Sequence, residues 1–370
     1  MKKIVLILPT YNERENIVTL IEAIEKIIKP LKNYQFELLV VDDESPDDTA
    51  IVVKKLMSKY KNLSQISKKK EGLGAAYLFG IRYAIKKFKP DFFIQIDTDW
   101  QHEPSLIPAV VAKIENGVDL VIGSRYVKGG SIPSNWGLHR KIYSVLGNAI
   151  VRFGLGKLSP HDWTSGYRMY KREVFESVQT GLDKYSGYTF QVAFLHKALL
   201  RGYKAGEVPL QFADRVYGRS KIAPFDYIKN LLLYILNNST LLKYVVIGGV
   251  GFTVQTVLSK IFVMVGLFPG LAVLVGSFGA IVTNFFGNNF WTFSHKKIIG
   301  FNNYIKKFLH FCFTSIGALV IQVVVVSIGV FFLGKNAWFL LMVLAIIFLV
   351  IPYNYFIYNR FIWKGEKINS

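Results

Sequence analysis

The sequence predicts an α/β domain with a mostly parallel sheet, followed by an all-α membrane domain of four transmembrane helices. Before residue 240, charged and apolar segments alternate, whereas the rest of the chain has long runs almost without charge. The mean hydropathy of +0.30 is high for a purely soluble protein. Several apolar runs in the first half stop abruptly at acidic residues, as parallel strands do when their carboxyl ends open into a ligand crevice.

The first half alternates segments of strand and helix character. Short apolar runs typical of buried strands lie at residues 4–8, 36–41, 92–96 and 120–122. Between them, apolar residues recur at helical spacing at residues 14–29, 47–57, 75–88 and 104–115. Such alternation predicts a sheet that binds its ligands at the carboxyl edge.

The apolar run at residues 92–96 is followed by two carboxylates, Asp97 and Asp99. On an extended segment their side chains would point the same way and could bind one hard cation, with Gln101 next on that face. Mg²⁺ or Mn²⁺ held by these few oxygens would keep coordination sites free for substrate phosphates. The alternative is a strand end followed by a helix cap, because Asp-rich turns are common there.

Polar residues also follow two other predicted strands, at Pro9-Thr-Tyr-Asn-Glu13 and at Asp42-Asp43. Acids gathered at one sheet edge repel each other unless a cation or a hydrogen-bonding ligand satisfies them, so we expect a shared site. Asp47 and Asp48 follow Ser45-Pro46 and are interpreted as a helix-capping turn.

A net charge of +20 is compatible with binding to nucleic acid. In a membrane protein such a charge more often reflects attraction to anionic lipid and positively charged cytoplasmic loops. We therefore expect no nucleic-acid partner. The single cysteine, Cys312, excludes an intrachain disulfide.

Four motifs in this order resemble the inverting glycosyltransferases of family 2, and within them the dolichyl-phosphate mannose synthases and related polyprenyl-phosphate glycosyltransferases. The motifs are Leu8-Pro-Thr-Tyr-Asn-Glu13, Val40-Val-Asp-Asp43, Asp97-Thr-Asp-Trp-Gln101 and Gly123-Ser-Arg-Tyr-Val-Lys-Gly-Gly130. The resemblance covers roughly residues 3 to 232 and implies a GT-A, Rossmann-like catalytic domain.

The resemblance also implies roles for individual residues. Those expected to bind the donor nucleotide sugar are Pro9, Tyr11, Glu13, Val41, Asp43, Asp97, Thr98, Asp99, Gln101 and Arg125. Among these, Asp97, Asp99 and Gln101 would hold the Mg²⁺ or Mn²⁺. The residues expected to contact the acceptor phosphate are Arg140, Ser165, Arg215, Ser220 and Lys221. The catalytic residues would be Asp99, Arg125 and Arg140.

The expected reaction is metal-dependent transfer of a hexose to dolichyl or polyprenyl monophosphate with inversion. By resemblance the donor would be GDP-mannose, and UDP-glucose is the alternative. A phosphate monoester loses its second proton at about pH 6, so the acceptor is largely anionic near neutrality and needs no strong base. The site instead needs cationic groups that bring two anions together, and arginine is the better planar phosphate clamp.

Two amphipathic helices are predicted at residues 138–155 and 224–244, either at the bilayer surface or packed on the core. Four spans follow, at residues 244–268, 271–290, 308–333 and 337–357, each long enough to cross roughly 30 Å of hydrocarbon. Lysines in the middle loop and in the tail place both termini and the catalytic domain in the cytoplasm of a multi-pass cell-membrane protein.

The predicted domains are therefore a glycosyltransferase domain at residues 1–223, a juxtamembrane helix at 224–243 and a membrane domain at 244–370. The last resembles the GtrA-like module, and Gly248, Gly249, Gly251, Gly276 and Gly279 would let its helices pack closely or two copies pair as a homo-oligomer. Asn288-Asn-Phe-Trp and Asn359-Arg-Phe-Ile-Trp363 form a weak internal repeat.

Two other function classes compete with this interpretation. A processive polysaccharide synthase would carry a Gln-x-x-Arg-Trp motif, but this chain has Gln191-Val-Ala-Phe-Leu and no Arg-Trp pair. A lipid-sugar translocation or scaffold protein would have an inactive transferase domain. The presence of Asp97, Asp99, Gln101 and Arg125 argues against that.

Overall fold

The computed structural model describes residues 1–213, 224–334 and 337–363, in which a seven-stranded sheet forms the centre of the first half. Its strands are β1 (Lys2–Thr10), β2 (Tyr34–Asp42), β3 (Leu63–Ser67), β4 (Phe92–Gln95), β5 (Leu120–Ser124), β6 (Arg168–Lys171) and β7 (Ala205–Pro209). Their order is β3-β2-β1-β4-β6-β5-β7, and only β6 runs antiparallel to its neighbours. The prediction of a mostly parallel α/β sheet is confirmed.

Helices connect the strands as the alternation predicts. They are α1 (Arg14–Ile28), α2 (Thr49–Lys59), α3 (Leu73–Phe88), α4 (Ile107–Glu115), α5 (Leu138–Gly154), α6 (Arg172–Val178), α7 (Gly187–Leu200) and α8 (Pro224–Asn238). The second helix begins later than predicted because Asp47 lies before it, where its carboxylate accepts hydrogen bonds from the backbone N–H and the hydroxyl of Thr49. Asp47 thus acts in the capping turn expected from the sequence.

The core of this sheet is apolar on both faces, as in other parallel sheets. Ile4, Val5, Leu6, Ile7 and Leu8 of β1 are completely buried. Helix α3 approaches the sheet closely at Gly80, where an added Cβ would lie 2.6 Å from Val41 Cγ2 and 3.1 Å from Ile7 Cγ2. A larger residue at this position would force the helix away from β1 and β2.

The chain divides into two compact units, Met1–Ile235 and Leu236–Ser370. In the described part of the second unit the longer elements are all α-helices. They are α9 (Thr240–Met264), α10 (Pro269–Gly287), α11 (Phe301–Leu333), α12 (Trp338–Ala345) and α13 (Ile351–Ile357). Short π-helical turns follow α10, α12 and α13, at Asn288–Thr292, Ile346–Val350 and Tyr358–Ile362. Within the described residues, one helix, Thr240–Met264, is by itself long and apolar enough to cross a membrane.

Small residues bring α9 and α10 together. A Cβ added at Gly251 would collide with the amide of Asn284, and one added at Gly276 would collide with the Ser259 hydroxyl. Gly279 is similarly close to Leu258, whereas Gly248 and Gly249 face open space. Three of the five predicted packing glycines therefore lie in the helix contact.

An aromatic cluster forms a small core within the second unit. Phe285, Phe293, Phe311, Tyr358 and Trp363 are buried against each other, and the Phe293 and Trp363 rings stack with centroids 4.7 Å apart. The second repeat contributes Ile362 and Trp363 to this cluster, whereas the first repeat is joined to it through Asn289 Oδ1, which accepts from Trp363 Nε1 at 3.0 Å.

Candidate active site

A cavity of about 430 Å³ opens where the strands of the first unit end. Residues directly after β1, β2, β4 and β5 reach it, which is the carboxyl edge of the parallel strands. Ten of the residues predicted to bind substrate or metal line this cavity, and they are Pro9, Tyr11, Glu13, Asp43, Asp97, Thr98, Asp99, Gln101, Arg125 and Ser165.

Two of the other predicted site residues, Val41 and Arg140, are described and do not line the cavity. Val41 is buried in the core, and its side chain packs against α3 at Gly80. Arg140 is exposed at the start of α5, where its guanidinium stacks 3.7 Å from the centroid of the Trp136 ring. Arg215, Ser220 and Lys221 lie outside the described residues.

The acidic segment Asp97 to Gln101 forms a turn and not an extended strand, because β4 already ends at Gln95. The expectation that strand alternation aligns the two carboxylates is therefore wrong. Trp100 has a left-handed backbone with φ +64°, which reverses the chain between Asp99 and Gln101. The Thr98 hydroxyl donates to the backbone oxygen of Pro9 at 2.9 Å and ties this turn to β1.

Two buried side chains that the sequence did not single out hold Asp97. The Tyr77 hydroxyl on α3 donates to Asp97 Oδ1 at 2.7 Å, and the backbone N–H of Asp97 donates to His102 Nδ1 at 3.0 Å. Burial, and next the Asp97 charge, raises the pKa of Tyr77 well above its ordinary value, so the phenol stays a proton donor.

The donor atoms of this turn fit a hard divalent cation. Asp97, Asp99 and Gln101 together offer carboxylate and amide oxygens at the wall of the cavity. A Cβ added at Gly166 would lie 3.1 Å from Asp97 Oδ2, so the glycine keeps the space beside that oxygen free of side chain. The described residues contain no group of three or more His, Cys, Asp or Glu suited to a metal. A cation here would therefore take its remaining ligands from substrate phosphates and water, as Mg²⁺ commonly does.

A second part of the wall carries aromatic and charged groups. Lys70 Nζ lies 3.4 Å from the centroid of the Tyr11 ring, and Lys68 Nζ lies 3.7 Å from Asp43 Oδ1. Burial raises the pKa of Asp43, while the charge of Lys68 opposes that shift. Lys70 was not predicted, although the basic run Lys68-Lys69-Lys70 directly after β3 could have indicated it.

Arg125 reaches the cavity as one half of a buried ion pair. Its Nε and Nη2 donate to the two carboxylate oxygens of Asp162, each at 2.7 Å, and Nη2 also donates to Thr164 Oγ1 at 2.7 Å. Burial would raise the pKa of Asp162, but the adjacent guanidinium outweighs it and lowers that pKa. The prediction from sequence did not include this partner.

Arg168 holds the segment from Trp163 to Ser165 by hydrogen bonds to its backbone. It is completely buried, and it donates to the backbone oxygens of Ser165, Gln191 and Trp163 at 2.7 to 3.0 Å. Burial lowers the pKa of Arg168 to about 10, so the side chain remains charged near neutrality. Ser165 in turn donates its backbone N–H to Asp162 Oδ1 at 3.1 Å.

Comparison with known proteins identifies the family to which the chain belongs. Residues 5–179 match the model of glycosyl transferase family 2, and residues 243–363 match the GtrA/DPMS transmembrane domain. The chain is 32% identical over 338 residues to a dolichol-phosphate mannosyltransferase of Pyrococcus furiosus, with 89% of this chain and 91% of that protein covered. The chain belongs to glycosyltransferase family 2. This family 2 glycosyltransferase continues into a transmembrane domain of the GtrA/DPMS type.

Two further proteins are similar to parts of the chain. A polyprenol monophosphomannose synthase of Mycolicibacterium smegmatis is 35% identical over 224 residues, which is 60% of the family 2 glycosyltransferase described here and 82% of that relative. Among solved structures, glucosyl-3-phosphoglycerate synthase from Mycobacterium tuberculosis in complex with Mg²⁺ and UDP is 20% identical, with a TM-score of 0.45. That match covers 64% of this chain and 79% of the synthase.

Proposed function

We propose that this enzyme transfers mannose from GDP-mannose to dolichyl or polyprenyl monophosphate, with inversion at the anomeric carbon. The observation that carries the proposal is one cavity that joins the acidic turn at Asp97 to Gln101 with the buried Arg125, in a chain that continues into a membrane domain. Two relatives with names for this reaction, in Pyrococcus furiosus and Mycolicibacterium smegmatis, support the choice of sugar and acceptor.

The nucleoside of the donor would lie beside Pro9, Tyr11, Glu13 and Asp43. Asp43 is a buried carboxylate at the cavity wall, so it can accept hydrogen bonds from a ribose or a base. Lys70, which lies over the Tyr11 ring, brings a positive charge to the same wall and would favour the donor's phosphates.

Asp97, Asp99 and Gln101 would hold Mg²⁺ or Mn²⁺, whose chemistry when bound is to neutralise the charge that develops on the departing diphosphate. Tyr77 and His102 keep Asp97 oriented for that task through the hydrogen bonds described above. The hydrogen bond of Thr98 holds the turn against β1. It therefore fixes the distance between the turn and the part of the cavity proposed for the nucleoside.

The resemblance implied that Arg125 binds the donor; we assign it instead to the acceptor phosphate, which would meet it at the cavity wall. Asp162 and Thr164 accept hydrogen bonds from Nε and Nη2, while Nη1 donates to no described residue. In the reaction, an anionic oxygen of the lipid phosphate forms a bond to the anomeric carbon as the bond to the diphosphate breaks. Ser165, and outside the described residues Arg215, Ser220 and Lys221, would complete the acceptor contacts by family resemblance.

Helix α5 provides the route to the lipid. Leu138, Tyr143, Leu146 and Phe153 are 51 to 73% exposed, so the alternative of core packing is wrong for this face. We propose that the face lies in the bilayer interface, where exposed aromatic and aliphatic side chains are stabilised. We further propose four spans, with the catalytic domain and both termini in the cytoplasm.

The proposal is tested with the purified full chain in detergent, a polyprenyl phosphate, Mg²⁺ and a panel of labelled nucleotide sugars. Transfer from GDP-mannose that stops on addition of a chelator is the expected result. Transfer from UDP-glucose alone would keep the reaction class and refute the donor. Absence of lipid-linked sugar with every donor would refute the reaction itself. Transfer that chelator and Asp99→Ala both leave intact would keep the reaction and refute its dependence on a metal.

A further inference from the structure

Asn148 lies in the middle of α5, a position where asparagine is a poor helix former. The side chain of Asn148 is 3% exposed. Among the described residues of α5, Val151 is the other one that is buried. Ser144, Asn148 and Val151 are spaced four and three residues apart, so they share the stripe of α5 that faces the domain. A polar residue in that stripe calls for a specific partner.

The partners are two consecutive residues of the segment that holds Arg125. Asn148 Oδ1 accepts the backbone N–H of Trp163 at 2.7 Å, and Asn148 Nδ2 donates to Thr164 Oγ1 at 3.3 Å. Nδ2 also donates to the backbone oxygen of Ser144 at 3.1 Å, within α5 itself. One carboxamide thus acts as acceptor and donor together, which neither a carboxylate nor an aliphatic side chain of this size can do.

Thr164 continues the connection to the cavity. Its Oγ1 accepts from Arg125 Nη2 at 2.7 Å and lies 3.4 Å from Asp162 Oδ1, to which it can donate. The guanidinium is therefore held on one edge by Asp162 and at Nη2 by a hydroxyl whose position depends on Asn148. These contacts fix the direction in which Nη1 points.

We propose that Asn148 is a positioning residue, which orients Arg125 toward the acceptor phosphate by holding Trp163 and Thr164 against helix α5. This inference rests on the proposed function, because it assigns the acceptor phosphate to Arg125. It adds that the orientation of the arginine is set by the helix with the exposed apolar face and not by the sheet alone.

The test compares Asn148→Leu with Val151→Ala in the full chain, with geranyl phosphate as a soluble acceptor and GDP-mannose as donor. Asn148→Leu removes the hydrogen bonds to Trp163 and Thr164 at similar volume. Val151→Ala disturbs the same buried stripe but removes no side-chain hydrogen bond. We expect Asn148→Leu to lower kcat/KM for geranyl phosphate about 10-fold or more, since misplaced groups cost that much in rate. The affinity for GDP should stay unchanged in both variants, and Val151→Ala should keep its kcat/KM.

A double-mutant cycle gives the second readout. Asn148→Leu and Thr164→Val break the same connection, so their effects on kcat/KM should combine to less than their product. Val151→Ala and Thr164→Val should simply multiply, and Thr164→Ser, which keeps the hydroxyl, should retain activity. Equal losses in Asn148→Leu and Val151→Ala, or independent effects of Asn148→Leu and Thr164→Val, would overturn the inference while wild-type transfer still supported the proposed function. A wild-type chain that transfers nothing would overturn both.

Discussion

The side chains around Asp97 show how a proposed metal ligand is held by residues outside its own motif. Tyr77 comes from a helix and His102 from the following turn, and both are buried. Mutation of a group that orients a metal ligand typically costs about 10- to 100-fold in metal affinity or activity. If Asp97 binds the metal as we propose, Tyr77 belongs to the working site although it would not contact substrate.

Tyr77→Phe removes the hydroxyl that donates to Asp97 and leaves the ring in place. We expect the Mg²⁺ concentration for half-maximal activity to rise about 10-fold, since the carboxylate loses a group that orients it. Tyr170→Phe is the matched control, because Tyr170 is equally buried and its hydroxyl accepts from Gln95 Nε2 at 2.9 Å. An identical Mg²⁺ requirement in the two variants would show that Tyr77 only fills space.

The Arg125 and Asp162 pair makes a prediction about stability. Asp162→Asn leaves a buried guanidinium without its counter-charge, which should cost about 3 to 5 kcal/mol of unfolding free energy. The pKa of Asp162 is lowered in the folded protein, so its contribution is present above the ordinary carboxyl pKa of about 4 and is lost as the pH falls through the lower folded value. Denaturant unfolding at several pH values should show the difference between wild type and variant shrinking below about pH 4. A constant difference would contradict the ion-pair account.

Residue patterns predicted much of the site and missed its internal contacts. Tyr11, Asp43 and Asp97 were predictable because each follows a strand, and Pro9 because it lies at the end of one, and parallel strands end at one edge. The pairing of Arg125 with Asp162 was not, because 37 residues separate them and no local pattern links them.

At the scale of elements, the strands that sequence analysis missed are those that lack an apolar run. In β3, Leu63-Ser-Gln-Ile-Ser, polar residues outnumber apolar ones, and the strand lies at the edge of the sheet, where burial does not impose an apolar run. The segment of β7 contains Gly206 and Glu207 and lies at the opposite edge. The central strands β1, β2, β4 and β5 are buried apolar runs and therefore carried the signal that sequence analysis detects. The strand β6 is also central and buried, but Arg168 and Lys171 are two of its four residues, so no apolar run marked it.

Helix α5 supports a prediction about the membrane. Replacing Leu146 and Phe153 by Glu places charges on its exposed apolar face, so its affinity for the bilayer interface should fall. Turnover of a long polyprenyl phosphate in lipid vesicles should drop about 10-fold, because each such side chain is worth 1.5 to 3 kcal/mol when buried, about as much as a tenfold change requires. Turnover of geranyl phosphate in detergent should remain.

The matched control for this helix is Phe79→Glu on α3, which is 40% exposed and lies on a different helix. It adds the same charge and should leave both activities intact. If Phe79→Glu slowed the vesicle reaction as much as the α5 variant, general charge repulsion and not docking of α5 would account for the effect.

At the scale of the whole molecule, the sequence located the helical stretches of the second unit but not their interruptions. Residues 337–357 were predicted as one span, whereas the chain there runs through α12, a π-helical turn and α13. A π-helical turn inserts one residue into the hydrogen-bond ladder without changing the apolar composition, so hydropathy cannot reveal it.

The proposed topology can be measured by labelling single cysteines in a Cys312→Ser background. Asn302→Cys lies beside the lysine-rich segment between the second and third predicted spans, and Phe268→Cys lies between α9 and α10. A membrane-impermeant maleimide should label Asn302→Cys from the side of the catalytic domain and Phe268→Cys from the other side. Labelling of both from one side would contradict the four-span arrangement.

Among the tryptophans whose burial the structure describes, two are enclosed, Trp163 in the first unit and Trp363 in the second. Each donates its ring N–H within its own unit, Trp163 to the backbone oxygen of Pro160 and Trp363 to Asn289 Oδ1. The protein thus carries an intrinsic fluorophore at the centre of each half. The chain has six tryptophans, so the difference in emission between wild type and Trp163→Phe, or between wild type and Trp363→Phe, would isolate one enclosed indole and follow the melting of its half without any attached dye.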